Sequence, residues 1–151
     1  MAGITTAMNT SFKVELLSGL HDFDTSGGND FKLGLFKTVP TGTYDATTTN
    51  YSVVTGNSDE HGGGTGYTAG GTSLTRVDPT STSTTAFTDF SADITWGTST
   101  ITSDGAFIYN ATSGNRTVSV HDFSGPKQSS GGNFTIQMPA ATSAAAIIRI
   151  A

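Results

Sequence analysis

Few residues in this chain are equipped for chemistry. There are three histidines, His21, His61 and His121, twelve Asp and Glu, seven Lys and Arg, and no cysteine. His61 follows two acids in the run Asp59-Glu60-His61-Gly62-Gly63-Gly64. A zinc site needs three or four converging ligands, and no HExxH-type spacing supplies them. His61 is therefore expected to be a solvated loop residue, and no metal or cofactor is expected. Serine hydrolysis needs a serine, a histidine and an acid brought together. With 17 serines such combinations arise by chance, and no Gly-x-Ser-x-Gly elbow is present. Glycoside hydrolysis needs two facing carboxyls. The two glutamates, Glu15 and Glu60, lie in separate segments, and the aspartates are scattered.

Two further stretches invite a ligand. The glycines from Gly62 to Gly71 suggest a phosphate loop, but no GxGxxG and no Gly-Lys-Ser/Thr occurs there, so a flexible loop is expected. Asp24-Thr25-Ser26-Gly27-Gly28-Asn29-Asp30 gathers oxygen ligands as a calcium loop does, without the twelve-residue spacing or its final Glu. A polar turn accounts for it. Trp96, at an expected strand end, suits a core as well as a sugar platform. No catalytic residue is assigned, and the chain is not expected to be an enzyme.

The elements that would position these residues are mostly strands. Charged residues make up 13% of the chain, and 28 Thr, 17 Ser and 19 Gly take their place. Threonine suits a pleated surface and Gly and Ser suit turns. Asn133-Phe134-Thr135-Ile136-Gln137-Met138 alternates with period two, the mark of a half-buried strand. Further strands are expected at 31–36, 72–77, 84–90, 94–96, 99–102, 117–121 and 146–150, with a weaker one at 51–54. The apolar run 105–109 reads as a central strand, and Ser113-Gly114-Asn115 as the hairpin turn after it. The exception lies near the N-terminus. Met8, Phe12, Leu16 and Leu20 recur every four residues, with Leu17 beside them, so residues 6–18 should form one short helix. Thr5 or Thr6 would cap it and Gly19 would end it.

The expected fold is thus one mainly β domain over residues 1–151, an antiparallel β-sandwich of jelly-roll or immunoglobulin-like type with one N-terminal helix. The length suffices for a core without metal or disulfide staples. A net charge of −5 argues against nucleic acid. No segment approaches the roughly 20 apolar residues of a membrane helix. The first residues do not read as a secretory signal. His21-Asp22-Phe23 recurs as His121-Asp122-Phe123, too short to mark a duplication.

Several segments carry a resemblance. They are Met1-Ala2-Gly3-Ile4-Thr5-Thr6-Ala7-Met8, Ser11-Phe12-Lys13-Val14-Glu15-Leu16-Leu17, Gly64-Thr65-Gly66-Tyr67-Thr68-Ala69-Gly70-Gly71, Gly105-Ala106-Phe107-Ile108-Tyr109-Asn110 and Ala146-Ile147-Ile148-Arg149-Ile150-Ala151. Together they resemble a group of small structural proteins of tailed bacteriophages. The resemblance implies a virion component made in the bacterial host cytoplasm. A capsid decoration (cement) protein is the first expectation. It would be a homo-oligomer on the major capsid protein lattice or other virion proteins, at the capsid surface. A tail or fibre protein that recognises a host receptor or glycan through exposed aromatics is the alternative. Phe12, Leu16, Leu17, Leu20, Tyr67, Ile148 and Ile150 are the expected core or subunit contacts, and loop 55–71 should face a partner or solvent.

Overall fold

The structure is a computed structural model and describes residues 3–64 and 66–151. Met1, Ala2 and Thr65, quoted above, lie outside the described residues. In chain order the elements are β1 (Gly3–Ile4), β2 (Ala7–Met8), α1 (Thr10–Leu17), β3 (Phe31–Leu35), β4 (Thr43–Tyr44), α2 (Tyr51–Gly56), β5 (Thr72–Ser73), β6 (Arg76–Thr82), β7 (Thr85–Phe90), β8 (Ile94–Ser99), β9 (Thr102–Asn110), β10 (Arg116–Gln128), β11 (Gly132–Ile136) and β12 (Ile148–Ile150). The fold is mainly β, as its composition requires.

The main sheet has the order β2-β10-β9-β3-β5, and its pairs are antiparallel. A second antiparallel sheet has the order β12-β7-β6. β8 pairs with β11, and β1 pairs parallel to β4. Strand β9 is the centre. Its side chains alternate between two cores, because successive residues of a strand point to opposite faces. Ala106 and Ile108 join the larger core with Phe31, Leu33, Leu35, Phe90 and Trp96. Phe107 and Tyr109 join the smaller one with Phe36, Tyr44, Val54 and Val120. Burial on both faces explains why this strand is a continuous apolar run and not an alternating one.

Two local devices serve both cores. Opposite β9, strand β10 carries a bulge: Thr117 faces Tyr109 while Ser119 faces Ile108, leaving Val118 as the extra residue. The shift lets Val118 enter the larger core and Val120 the smaller. On the other side, Gly34 faces the Phe107 ring, and a Cβ there would lie 2.3 Å from its Cζ. Only glycine leaves that ring its place.

Helix α1 starts at Thr10, later than expected, because Ala7 and Met8 pair with Val120 and Ser119 of β10. Asn9 occupies the cap position in place of Thr5 or Thr6, but its amide donates to the Asp45 carbonyl and not to the helix. The C-terminal end follows the expected pattern. Gly19, at φ 74°, donates to Leu16 O and Leu20 N–H donates to Glu15 O, which closes a Schellman turn. The weak strand expected at 51–54 is instead α2. Asn50 Oδ1 accepts from Ser52 N–H (2.9 Å) and caps it, and Val54 is buried. Capping and burial here override the β preference of valine. The strand expected at 72–77 is broken at Leu74. β5 pairs with β3 and β6 with β7, so the chain changes sheet there. The strand expected at 99–102 is divided between the end of β8 and the start of β9.

Replacing Gly34 with Ala should cost about 1–3 kcal/mol, the usual range for overpacking a core. Urea denaturation measures it. The loss should shrink when Phe107→Leu is added, since the two changes share one contact. A wild-type midpoint for the single variant contradicts this packing.

Candidate interaction surface

The charged side chains singled out in the sequence are consumed by the fold. Asp59 is fully buried and receives five donors. The Thr41 backbone N–H (2.9 Å) and hydroxyl (3.0 Å) and the Lys37 ammonium (2.9 Å) meet Oδ1. The Gly42 N–H (2.7 Å) and the Tyr44 hydroxyl (2.7 Å) meet Oδ2. Five donors fill the roughly four lone-pair sites of a carboxylate. Burial alone would push this carboxyl up. The bonds from Thr41, Tyr44, Lys37 and Gly42 outweigh it and hold the group well below the ordinary carboxylate range.

Glu60 is bound on its other side by tyrosines. The Tyr51 hydroxyl donates to Oε2 (2.5 Å), and the Tyr67 hydroxyl (2.8 Å) and Gly70 N–H (2.6 Å) donate to Oε1. Tyr109 donates to the Gly70 carbonyl (2.7 Å) and stacks on Tyr51 at 4.5 Å between centroids. Burial and then the Glu60 carboxylate push the Tyr51 and Tyr67 phenols far above their usual value. Three of the four tyrosines thus bond to the Asp59–Glu60 pair, and the fourth, Tyr109, holds Gly70 and Tyr51 beside it. Segment 59–61 also runs along β3: Lys37 N–H donates to Asp59 O, and His61 N–H to Leu35 O. The loop expected to face a partner or solvent is therefore, at Asp59, Glu60 and Tyr67, a clasp on the sheet edge. His61, expected to be solvated, is half-buried and meets Tyr67 edge-on at 5.2 Å. The only sign of this in the sequence is an acidic pair flanked by Tyr51 and Tyr67.

A second polar network sits beneath α1. Asn110 Oδ1 accepts from Thr112 and Ser113 N–H, which starts the β9–β10 turn and fixes the amide's orientation. Its Nδ2 must then donate to His21 Nδ1 (2.9 Å) and Asn29 Oδ1 (2.8 Å). His21 Nδ1 is consequently an acceptor, and Nε2–H donates to Glu15 Oε2 (2.9 Å). Glu15 Oε1 binds Arg116 at 2.6 Å. Burial lowers the His21 pKa, against the opposing pull of Glu15. The ring is a neutral bridge whose two nitrogens are both engaged within the fold, although its edge lines the groove described below.

The calcium-like loop has a cation of its own. Arg76 donates to the carbonyls of Asp24 (3.0 Å), Thr25 (3.3 Å) and Asn29 and lies 3.4 Å from the Asp30 carboxylate. Its guanidinium occupies the centre of the loop from about 50 residues away in sequence, where no local spacing reveals it. Among the described residues no three His, Asp or Glu side chains converge to hold a metal.

Several large apolar side chains remain exposed. Helix α1 turns one side outward, with Leu17 87% and Val14 61% exposed. Leu20 follows it, also exposed. Beside them runs a groove of about 330 Å³, lined by Leu16, Phe23, Pro79, Phe87, Ile148 and Ile150. Ile150 is 56% exposed at its edge. Strand β12, paired to β7 from Ile148–Thr88 to Ile150–Ala86, forms one wall. The seven expected contact residues divide accordingly. Leu16, Ile148 and Ile150 line this groove, while Leu17 and Leu20 are exposed on and just after α1 without lining it. Phe12, Tyr67 and Ile148 are buried in the larger core, which withdraws Phe12 and Tyr67 from any contact surface. Trp96 is buried against Tyr67 and Phe134, so these aromatics form no exposed recognition platform. No family model, no curated protein and no solved structure matches the chain.

Two expectations follow for pH and stability. The Asp59 carboxyl titrates lower folded than unfolded, so its contribution is present above about pH 4 and lost as acid protonates it. Asp59→Asn should lower stability at pH 7 by about 3 kcal/mol and flatten the acid limb of a denaturation series, because Lys37 then lacks its partner. His21, also lowered, makes stability fall as pH drops below its unfolded value of about 6.5. His121 shifts in the same direction. His21→Gln should therefore reduce, without abolishing, the slope of stability between about pH 7 and 5. A slope identical to wild type contradicts the neutral bridge.

Proposed function

We propose that this protein is a structural component of a tailed-phage virion, a decoration protein that binds the major capsid protein lattice as a homo-oligomer and braces the head. The reading rests on the resemblance of its segments and on one observation, the apolar face around Leu17. A leucine 87% exposed, on the helix whose Leu16 lines a mainly apolar groove, loses water-exposed area on docking, at about 25 cal/mol per Å² of apolar surface removed from water. Each such contact is modest. A lattice joins many of them, so the second and later contacts form at high effective concentration. The internal clasps suit the same role. With Asp59, Glu60 and Arg76 bound inside the chain, the docking face rests on a scaffold that loses little freedom on binding.

Leu17→Asp is the test. It places a charge on a surface side chain and should leave the thermal transition near wild type. Association with purified particles should fall at least about tenfold, the equivalent of 1.4 kcal/mol per contact. The wild-type protein should co-purify in proportion to the capsid lattice. A copy number matching the tail alone, or binding unaffected by Leu17→Asp, overturns the proposal.

A further inference from the structure

Strands β10 and β11 follow one another in the chain but do not pair. β10 pairs with β9 and β2, and β11 pairs with β8 alone. β10 is turned aside by a shift of register between Asp122 and Lys127, where Ser124 (φ 57°) and Gly125 (φ 111°) take left-handed backbone. A groove of about 490 Å³ opens between the two strands. It is lined by Asn133 to Gln137, from β11 and its continuation, and by Phe123, Lys127 and Gln128 of β10. Successive side chains of a strand point to opposite faces. A groove that touches five residues in a row therefore runs along the edge of β11 and not over one face.

That edge is bare, fixed and unguarded. Among the described residues no strand pairs with it, and from Asn133 to Gln137 the backbone bonds only to β8. Alternate residues of such a strand turn an N–H and a C=O away from their partner. Both ends are held. Ser129, in the turn before β11, donates its N–H to Ile101 O (2.8 Å), and its hydroxyl meets Ser99 Oγ (2.8 Å). Beyond β11, Met138 N–H donates to Asp93 Oδ1 (2.9 Å). Exposed edges usually carry charges or prolines that discourage a further strand. β6 has Arg76, Asp78 and Pro79, and β12 has Arg149. Gly132-Asn133-Phe134-Thr135-Ile136-Gln137 has neither a charge nor a proline. The groove also limits what can pair there. A second copy of β11 would bring its own β8 into the space that β10 occupies. One extended segment, free on its other edge, meets no such obstacle. Half-buried Phe123 and Ile136 offer that segment apolar contacts. Lys127, the one charged residue of the lining, is exposed and forms no ion pair among the described residues.

We propose that this groove binds an extended peptide segment of a partner protein, which adds to β11 as a strand, lays alternate apolar side chains against Phe123 and Ile136 and sets an acidic side chain on Lys127. Backbone pairing supplies the affinity, and the two walls supply the preference for apolar alternation and a carboxylate. The site is separate from the α1 face and stands independently of the virion reading.

The test is an NMR titration of the full chain with a short capped peptide alternating Val and Thr and carrying one Glu. Saturable shifts should map to the backbone amides of Lys127, Gln128 and Asn133 to Gln137. Two analogues, N-methylated at one or the other alternate set of residues, lack the N–H groups of one edge or the other. One of them should bind at least about tenfold more weakly than the parent peptide, because its bonds to β11 are gone. Lys127→Glu, at an exposed position, should weaken the parent peptide about threefold, the scale of a surface ion pair, and favour the same peptide with Lys in place of Glu. These comparisons need no variant that disturbs the core. No saturable binding, shifts at another strand edge, equal affinities for the parent and both analogues, or affinities indifferent to the charge exchange overturns the proposal. So does a self-associated free protein whose amides from Asn133 to Gln137 are already protected from hydrogen exchange, since a second copy then holds the edge.

Discussion

A carboxylate taken out of water must find its donors inside the protein, and Asp59 finds five. They come from Lys37, Thr41 and Gly42, in the loop between β3 and β4, and from Tyr44 of β4 itself. One side chain thus fixes the path of the chain as it leaves the main sheet at β3 and enters the β1–β4 pair. Tyr44, set by that bond, packs on Phe36 at 4.5 Å, and Phe36 packs on Phe107 at 4.9 Å. The smaller core is assembled around this sequence of contacts. Without Asp59 the buried Tyr44 hydroxyl would keep only its contact with Asn57, and unsatisfied buried donors cost about 1–3 kcal/mol each.

The larger core is secured differently. It has the aromatic cluster of Phe12, Phe23, Phe31 and Phe90, with Phe23 stacked on Phe31 at 4.4 Å. Its polar border is the His21–Asn110–Asn29 bridge, which joins the loop after α1 to the β9–β10 turn. β9 separates the two cores and belongs to both. Gly34 and the bulge at Val118 are the adjustments by which its neighbours fit a strand with no solvent face.

Where structure depends on neighbours in sequence, it could be read there. The apolar run 105–109, the turn at Ser113-Gly114-Asn115 and the stop at Gly19 are local signals, and each appears as expected. Loop 55–71 could not be read the same way. Asp and Glu among glycines look solvent-facing, and nothing nearby indicates that Lys37, Thr41 and Tyr44 converge on them. Arg76 answers the 24–30 loop across a similar gap. In α1 the four-residue period was legible, but not the helix's length or its depth. With Met8 drawn into a strand and only eight residues helical, Phe12 goes inward while Leu17 stays outside. Leu16, Ile148 and Ile150 stood out in the sequence, but their meeting at the groove required the fold, because β7 and β12 are joined across some 60 residues.

That last separation bears on how the protein is made. The groove wall is completed only when Ile148–Ile150 settle on β7, and these residues leave the ribosome after β1 to β11 have been synthesised. Chains fold as they emerge, N-terminal parts first. A nascent chain therefore has no complete groove until Ile148–Ile150 have been made and have paired with β7.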